Sequence, residues 1–247
     1  MKKIINIVLN ELILTIRNPF RVFRLLKINN VRQFLKKIQG DFKVGRIGDG
    51  DKTAWVNWSK FDTMEKSYRN DHNSHKVIQD WIKSKTSKRG FSFLDCGILS
   101  CVTYKKLKEN NRKVDYTGID INENIVENCR ERYQDQTWKS MSVEKLKFSK
   151  NSFDIVQIRH VLEHLNYYDK AVIEASRVTK KFAIFCLFFP LEDRDSLEYK
   201  KTKDGIYHMN KYGKDDFMKL LKERFNKVDV VYVQDDQRDN QVFFCEK

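Results

Sequence analysis

From Phe91 to the C terminus the sequence predicts an α/β fold, a doubly wound and mostly parallel sheet with an antiparallel last strand, and three observations carry that expectation. Strand-like apolar runs alternate with segments of helical period along the whole stretch. One run, FAIFCLFF at 182–189, is apolar without interruption, as a strand covered on both faces must be. The last two runs have no helix between them, so they are expected to be antiparallel to each other.

Taken in order, residues 1–40 read as a helical extension of their own, with Ile, Leu, Val and Phe at helical spacing among Lys2, Lys3, Arg17, Arg21, Arg24, Lys27, Arg32, Lys36 and Lys37. Pro19 divides it into two helices. Its apolar face packs on the main domain or lies on an anionic membrane surface; the pattern serves both. Residues 41–90 read as a linker and leading helix. GRIGDGD at 45–51 is a turn, since no strand and helix flank it as a phosphate loop requires, and AWVNWSKF at 54–61 is an aromatic segment. Helical patterning runs from about Thr63 to Lys85 through Tyr68, Val77, Ile78, Trp81 and Ile82.

Residues 91–247 form the main domain. The sequence predicts a strand in FSFLDC, a helix near Val102–Glu109, a strand in VDYTGID, a helix over Asn122–Tyr133 and a short strand around Thr137–Met141. A strand in FDIVQI, a helix after Leu162, the strand FAIFCLFF, a helix over Lys214–Phe225 and strands near Val228–Val233 and Val242–Cys245 complete it.

Composition sets the outer limits. Hydrophobic content of 40% and charged content of 33% fit a folded globular chain and exclude a disordered one. The net charge of +14 favours an acidic partner or simply reflects a lysine-rich composition, so nucleic acid is not excluded by charge. Cys96, Cys101, Cys129, Cys186 and Cys245 contain no C-x-x-C pair and are read as reduced, as in a cytoplasmic protein. The apolar stretch Ile4–Ile16 is broken by Asn6, Asn10 and Glu11, too short to span a bilayer and unlike a signal peptide.

In a doubly wound sheet, ligands bind beyond the carboxyl ends of the strands, at the switch point beside the first one. The first strand here ends in Asp95 and Gly97 follows it; the next ends in Asp120, placed to accept hydrogen bonds from the paired hydroxyls of a ribose.

Five stretches in this order resemble the class I S-adenosylmethionine-dependent methyltransferases, particularly bacterial members associated with surface-polysaccharide biosynthesis. They are FLDCG, YTGIDIN, SVEKLKFSKNSFDIVQIRHVLEHL, EASRVTKKFAIFCLFFP and YHMNKYGKDDFMKLL. The resemblance implies a Rossmann-like fold and S-adenosyl-L-methionine as cofactor. It implies that Asp95 and Gly97 lie against the methionine part, that Asp120 binds the ribose and that Ile121 packs on the adenine, with Ser142, Val143 and Glu144 around its far edge. Arg159 and His160 would face the methionine end and the acceptor.

The chain departs from the family where G-x-G-x-G is expected: only Gly97 is present, and Leu99 and Cys101 replace the other two glycines. A Cβ there crowds or reshapes a loop that must approach its ligand closely, so a non-catalytic scaffold is the alternative to an enzyme. HVLEH also matches H-x-x-E-H, a zinc arrangement, but it directly follows a buried strand and lacks an obvious third ligand; no metal is expected. For catalysis, His160, His164 and His208 are candidate bases because histidine titrates near neutrality, and Asn210 is a candidate for orienting an acceptor hydroxyl. A glycan or other small hydroxylated acceptor is expected, with RNA methylation as its rival. No added RNA-binding module is recognisable.

Overall fold

The computed structural model describes residues 43–45, 53–57, 73–86, 90–110, 113–234 and 239–247. All but Lys43 belong to one compact unit, Val44–Lys247. The helices expected in residues 1–40, most of the 45–51 turn and the start of the leading helix lie outside the described residues.

The unit is built on a seven-stranded sheet with order β3-β2-β1-β4-β5-β9-β8. Its strands are β1 (Phe91–Cys96), β2 (Val114–Asp120), β3 (Thr137–Ser140), β4 (Phe153–Arg159), β5 (Thr179–Leu187), β8 (Lys227–Val233) and β9 (Asn240–Glu246). The first five are parallel, whereas β9 runs antiparallel to both β5 and β8. Among the described residues five helices flank the sheet: α1 (Asn73–Lys85), α2 (Val102–Glu109), α3 (Glu123–Arg132), α4 (Asp169–Val178) and α5 (Lys214–Arg224). This is the predicted fold class.

Alternation along β5 shows how both faces are filled. Ala183, Phe185 and Leu187 join the core under α4 and α5, while Ile184 and Cys186 join the core that includes Ile78 of α1, Leu107 of α2 and Val126 of α3. Each large apolar side chain so buried contributes about 1.5–3 kcal/mol relative to exposure. Trp81 of α1 stacks on Phe244 of β9 with centroids 4.5 Å apart, which holds the leading helix against the antiparallel end of the sheet.

The helix expected after Leu162 is α4, which begins at Asp169 after a separate 3₁₀ turn at Leu162–His164. The region before α5 contains an unpredicted hairpin, β6 (Glu198–Thr202) and β7 (Gly205–His208), in which Lys203 and Asp204 make a two-residue turn and Gly205 has φ +131°. Asp204-Gly205 between strand-like residues is the local signal for it.

Candidate functional site

The switch point lies between β2 and β4, on either side of β1, and a cavity of ≈ 420 Å³ opens at the carboxyl ends of these three strands. Asp95, Gly97, Asp120, Ile121, Ser142, Val143, Glu144, Arg159, His160, His164 and His208 all line it. The volume falls in the range of small-molecule sites.

Asp95 is buried at the end of β1, and burial pushes its carboxyl pKa above the ordinary value. Three donors oppose that shift: Tyr116 Oη at 2.6 Å, Gln157 Nε2 at 3.0 Å and the Thr103 hydroxyl. Gln157 breaks the apolar run Ile155–Ile158 of β4, and its amide serves both Asp95 and Thr103, the latter at 3.1 Å. Asp95 is therefore a fixed post at the floor of the cavity.

The turn after Asp95 is left-handed at three positions: Gly97 (φ 82°), Leu99 (φ 43°) and Cys101 (φ 56°). The backbone thus keeps a glycine-type turn with only one glycine in it. Left-handed backbone costs an L residue roughly 1–2 kcal/mol, so Leu99 and Cys101 store strain in the turn. The crowded or remodelled loop expected from the missing glycines is replaced by a strained one.

Asp120 closes β2 opposite this turn. Its Oδ1 accepts from Asn122 N–H at 3.0 Å and its Oδ2 from Leu99 N–H at 3.4 Å. The chain then turns into α3, which Asn122 caps by accepting from the amides of Asn124 (3.0 Å) and Ile125 (3.4 Å). Burial pushes the Asp120 pKa up to about 6, against the lowering effect of these amides. The carboxylate is desolvated, faces the cavity and sits where paired hydroxyls can replace lost water. Beside it, Ile121 is 36% exposed, large for an isoleucine on a cavity rim.

Ser142, Val143 and Glu144 lie on the loop after β3, held from behind by an ion pair on α4. Arg177 binds Glu174 at 2.7 Å and donates to the carbonyls of Leu146 and Phe148, both at 2.7 Å, while Glu174 accepts from Leu146 N–H at 2.8 Å. The Arg177 side chain holds the Glu174 carboxyl below its ordinary pKa. Arg159 is buried at the end of β4, 3.5 Å from Ser74 Oγ of α1, and its charge favours the Asp95 carboxylate.

At the other end the wall is aromatic. His160, with φ 56°, stacks on Phe188 at 4.0 Å, and its Nε2 lies 2.5 Å from Asn240 Oδ1. His164 packs against Trp55 at 4.7 Å and Phe188 at 5.6 Å. Its Nδ1 is 3.0 Å from the His208 carbonyl oxygen; a carbonyl only accepts, so Nδ1 carries a proton, and in the neutral ring Nε2 holds the lone pair. His208 is buried, which lowers its pKa and favours the neutral ring. His160 follows β4 and His164 ends the 3₁₀ turn, so the two histidines of HVLEH do not share a helix face. The glutamate between them, Glu163, is buried and accepts from Phe188 N–H, which fixes the strand end that carries Phe188.

Two predicted readings are corrected. Asn210 does not line the cavity: it is fully buried, its amide donates to Leu165 O at 2.8 Å and its Oδ1 accepts from Glu198 N–H at 3.1 Å. Its hydrogen-bonding capacity holds the hairpin to the segment after His164, so orienting an acceptor is not its task. Cys101 and Cys129 are joined as a disulfide with Cα atoms 6.2 Å apart, whereas Cys96, Cys186 and Cys245 are free and buried. The reading of all five as reduced therefore fails for this pair. Sequence reasoning also missed Trp55, Thr53 and Phe188 as cavity residues. Asn122 Nδ2 donates to Trp55 O at 2.9 Å, a long-range tie that no local pattern reveals.

The family model for a methyltransferase domain matches residues 94–187. Residues 94–187 are therefore similar to a methyltransferase domain. Over 109 residues the chain is 33% identical to the ubiquinone/menaquinone biosynthesis C-methyltransferase UbiE of Rickettsia felis, covering 42% of this chain and 40% of that protein. The chain thus matches less than half the length of that curated relative. Its structure is similar to the Burkholderia thailandensis 1,6-didemethyltoxoflavin-N1-methyltransferase, solved with 1,6-didemethyltoxoflavin and S-adenosylhomocysteine. The TM-score is 0.57 at 14% identity, covering 83% of this chain and 99% of that one. It is also similar to magnesium protoporphyrin IX methyltransferase of Synechocystis PCC 6803 with bound SAM, with TM-score 0.54, 14% identity and coverage of 70% and 78%. At these identities the two structures establish the fold alone, a Rossmann-like α/β fold.

Proposed function

We propose that the chain is an S-adenosyl-L-methionine-dependent methyltransferase acting on a small hydroxylated acceptor, such as a glycan unit. The observation that carries this reading is Asp120, a desolvated carboxylate at the end of β2, hydrogen-bonded to the turn at 97–101 and lining a cavity of ≈ 420 Å³ with it. The residues fit the cofactor. Asp120 offers two acceptor oxygens to the ribose hydroxyls, Ile121 and Val143 offer apolar surface to the adenine, and Arg159 offers a cation to the methionine carboxylate. S-adenosyl-L-methionine, when bound, supplies an electrophilic methyl group on a sulfonium.

The protein's part is to bind, orient and exclude water, which supplies much of the rate in a displacement reaction. The wall of Trp55, Phe188 and His164 supports an acceptor ring, and Nε2 of His164 is the lone pair suited to take a hydroxyl proton. Calorimetric titration with S-adenosylhomocysteine is expected to give binding in the micromolar range. Silence at high micromolar ligand would move the chain to the scaffold reading.

A peripheral contact of residues 1–40 with an anionic membrane surface belongs to the same proposal, supported by their basic amphipathic pattern. No helix among the described residues is long and apolar enough to cross a membrane. The full chain should float with liposomes rich in anionic lipid and a chain lacking residues 1–40 should not; equal flotation of both removes this contact.

A further inference from the structure

We propose that the Cys101–Cys129 pair is a reversible oxidative modification site that holds the cofactor turn in its binding shape, so that a dithiol reductant weakens cofactor binding. The inference rests on the methyltransferase reading above. Cys101 stands where the family has its last loop glycine, with φ 56°, and no side-chain hydrogen bond caps α2 at this position. An L residue leaves such a conformation readily unless something holds it. The disulfide does so: it ties Cys101 to Cys129 on the buried face of α3, the helix that begins three residues after Asp120. The bridge therefore spans the two elements that flank Asp120, and the Leu99 amide between them donates to that carboxylate.

The other three cysteines are free thiols buried in the core, so the bridge is not part of a disulfide framework. It is a single covalent link at the cofactor turn, taking over by constraint what glycine does by conformational freedom.

The chemistry balances with a dithiol. One reductant thiolate attacks a sulfur of the bridge, the Cys101–Cys129 bond breaks and a mixed disulfide forms. The second reductant thiolate then displaces the protein sulfur, leaving two protein thiols and an oxidised, cyclic reductant; two electrons pass to the protein sulfurs, which take up two protons. Both cysteines are fully buried, so attack requires the turn to open. A ligand lying on the turn closes that route. By linkage, the factor by which reduction weakens cofactor binding equals the factor by which cofactor disfavours reduction at equilibrium.

The test is calorimetry of the full chain with S-adenosylhomocysteine, with and without dithiothreitol, alongside thiol alkylation and mass spectrometry. The oxidised protein should show three alkylatable thiols after unfolding and the reduced protein five. Reduced protein should bind on the order of tenfold more weakly, the scale of one left-handed residue released from its tether. Cys129→Ser should bind like reduced protein under both conditions. In Cys101→Gly, the ratio of affinities between the two conditions should fall to one. Circular dichroism checks that each variant is folded; should Cys129→Ser fail to fold, the wild-type comparison and Cys101→Gly still decide. Five free thiols after oxidant treatment, or equal affinity of oxidised and reduced wild type, would overturn the switch and leave the methyltransferase reading intact. Absence of binding in every form would overturn both.

Discussion

Replacing Asp120 with asparagine should weaken S-adenosylhomocysteine binding on the order of 100-fold, since two hydrogen bonds to a charged acceptor become one to a neutral one. The same change should make the ligand-free protein more stable at neutral pH. Burial raises the Asp120 pKa from 3.8 to about 6, so the folded state disfavours the ionised form. A raised carboxyl pKa means that its contribution to stability is fully present below about 3.8 and is lost as pH rises through about 6. Above that window the ionised group penalises the fold by roughly 2–3 kcal/mol. Asparagine removes the charge and keeps an oxygen for the Asn122 amide, but turns its NH₂ toward the Leu99 amide, which returns about 1 kcal/mol.

A net gain of about 1–2 kcal/mol is therefore expected near pH 7.5, shrinking to nothing at about pH 3, below the unfolded pKa of 3.8, where wild type carries a largely neutral carboxyl in both states. Urea denaturation at the two pH values measures it. A variant that loses both stability and affinity at neutral pH would show that Asp120 is a structural turn residue. Wild-type affinity should itself decline as pH falls through about 6, as the carboxylate gains its proton.

The sequence made the sheet legible because the information was local. An uninterrupted apolar run marked β5, and the change of period marked α2 and α3. Asp120 was legible for the same reason, since topology alone brings the end of the second strand to the switch point. What escaped depended on distance in the chain. Trp55 reaches the cavity through a bond to Asn122, Asn210 is consumed by Leu165 and Glu198, and Cys101 meets Cys129 only when α2 and α3 pack side by side. Residue type gives the capacity to bond; the partner decides whether that capacity serves a ligand or the fold. Asn210 is the clear case, a buried polar side chain whose amide donates to Leu165 O and whose oxygen accepts from Glu198 N–H.

Gly97→Ala should be the most damaging single substitution in the cofactor turn, destabilising the fold by about 3 kcal/mol or more and taking cofactor binding with it. Positive φ does not by itself require glycine here, because Leu99 and Cys101 adopt φ of 43° and 56° in the same turn. Gly97 differs in its neighbour: a Cβ at this position would overlap Cγ2 of Val161, with no backbone freedom to move aside. Valine cannot swing that methyl away, since branching at its own Cβ restricts χ1. The contact and the conformation separate in a double-mutant cycle. In a Val161→Ala background, where the opposing methyl is gone, Gly97→Ala should cost only the left-handed strain, roughly 1–2 kcal/mol. The coupling between the two sites should then be about 1–3 kcal/mol and favourable to the double variant. Zero coupling in urea denaturation would mean that φ alone governs this position. A coupling of the expected size would explain why this turn retains its first glycine while leucine and cysteine occupy the other two: strain can be borne by a turn that is held elsewhere, but an overlap of atoms cannot.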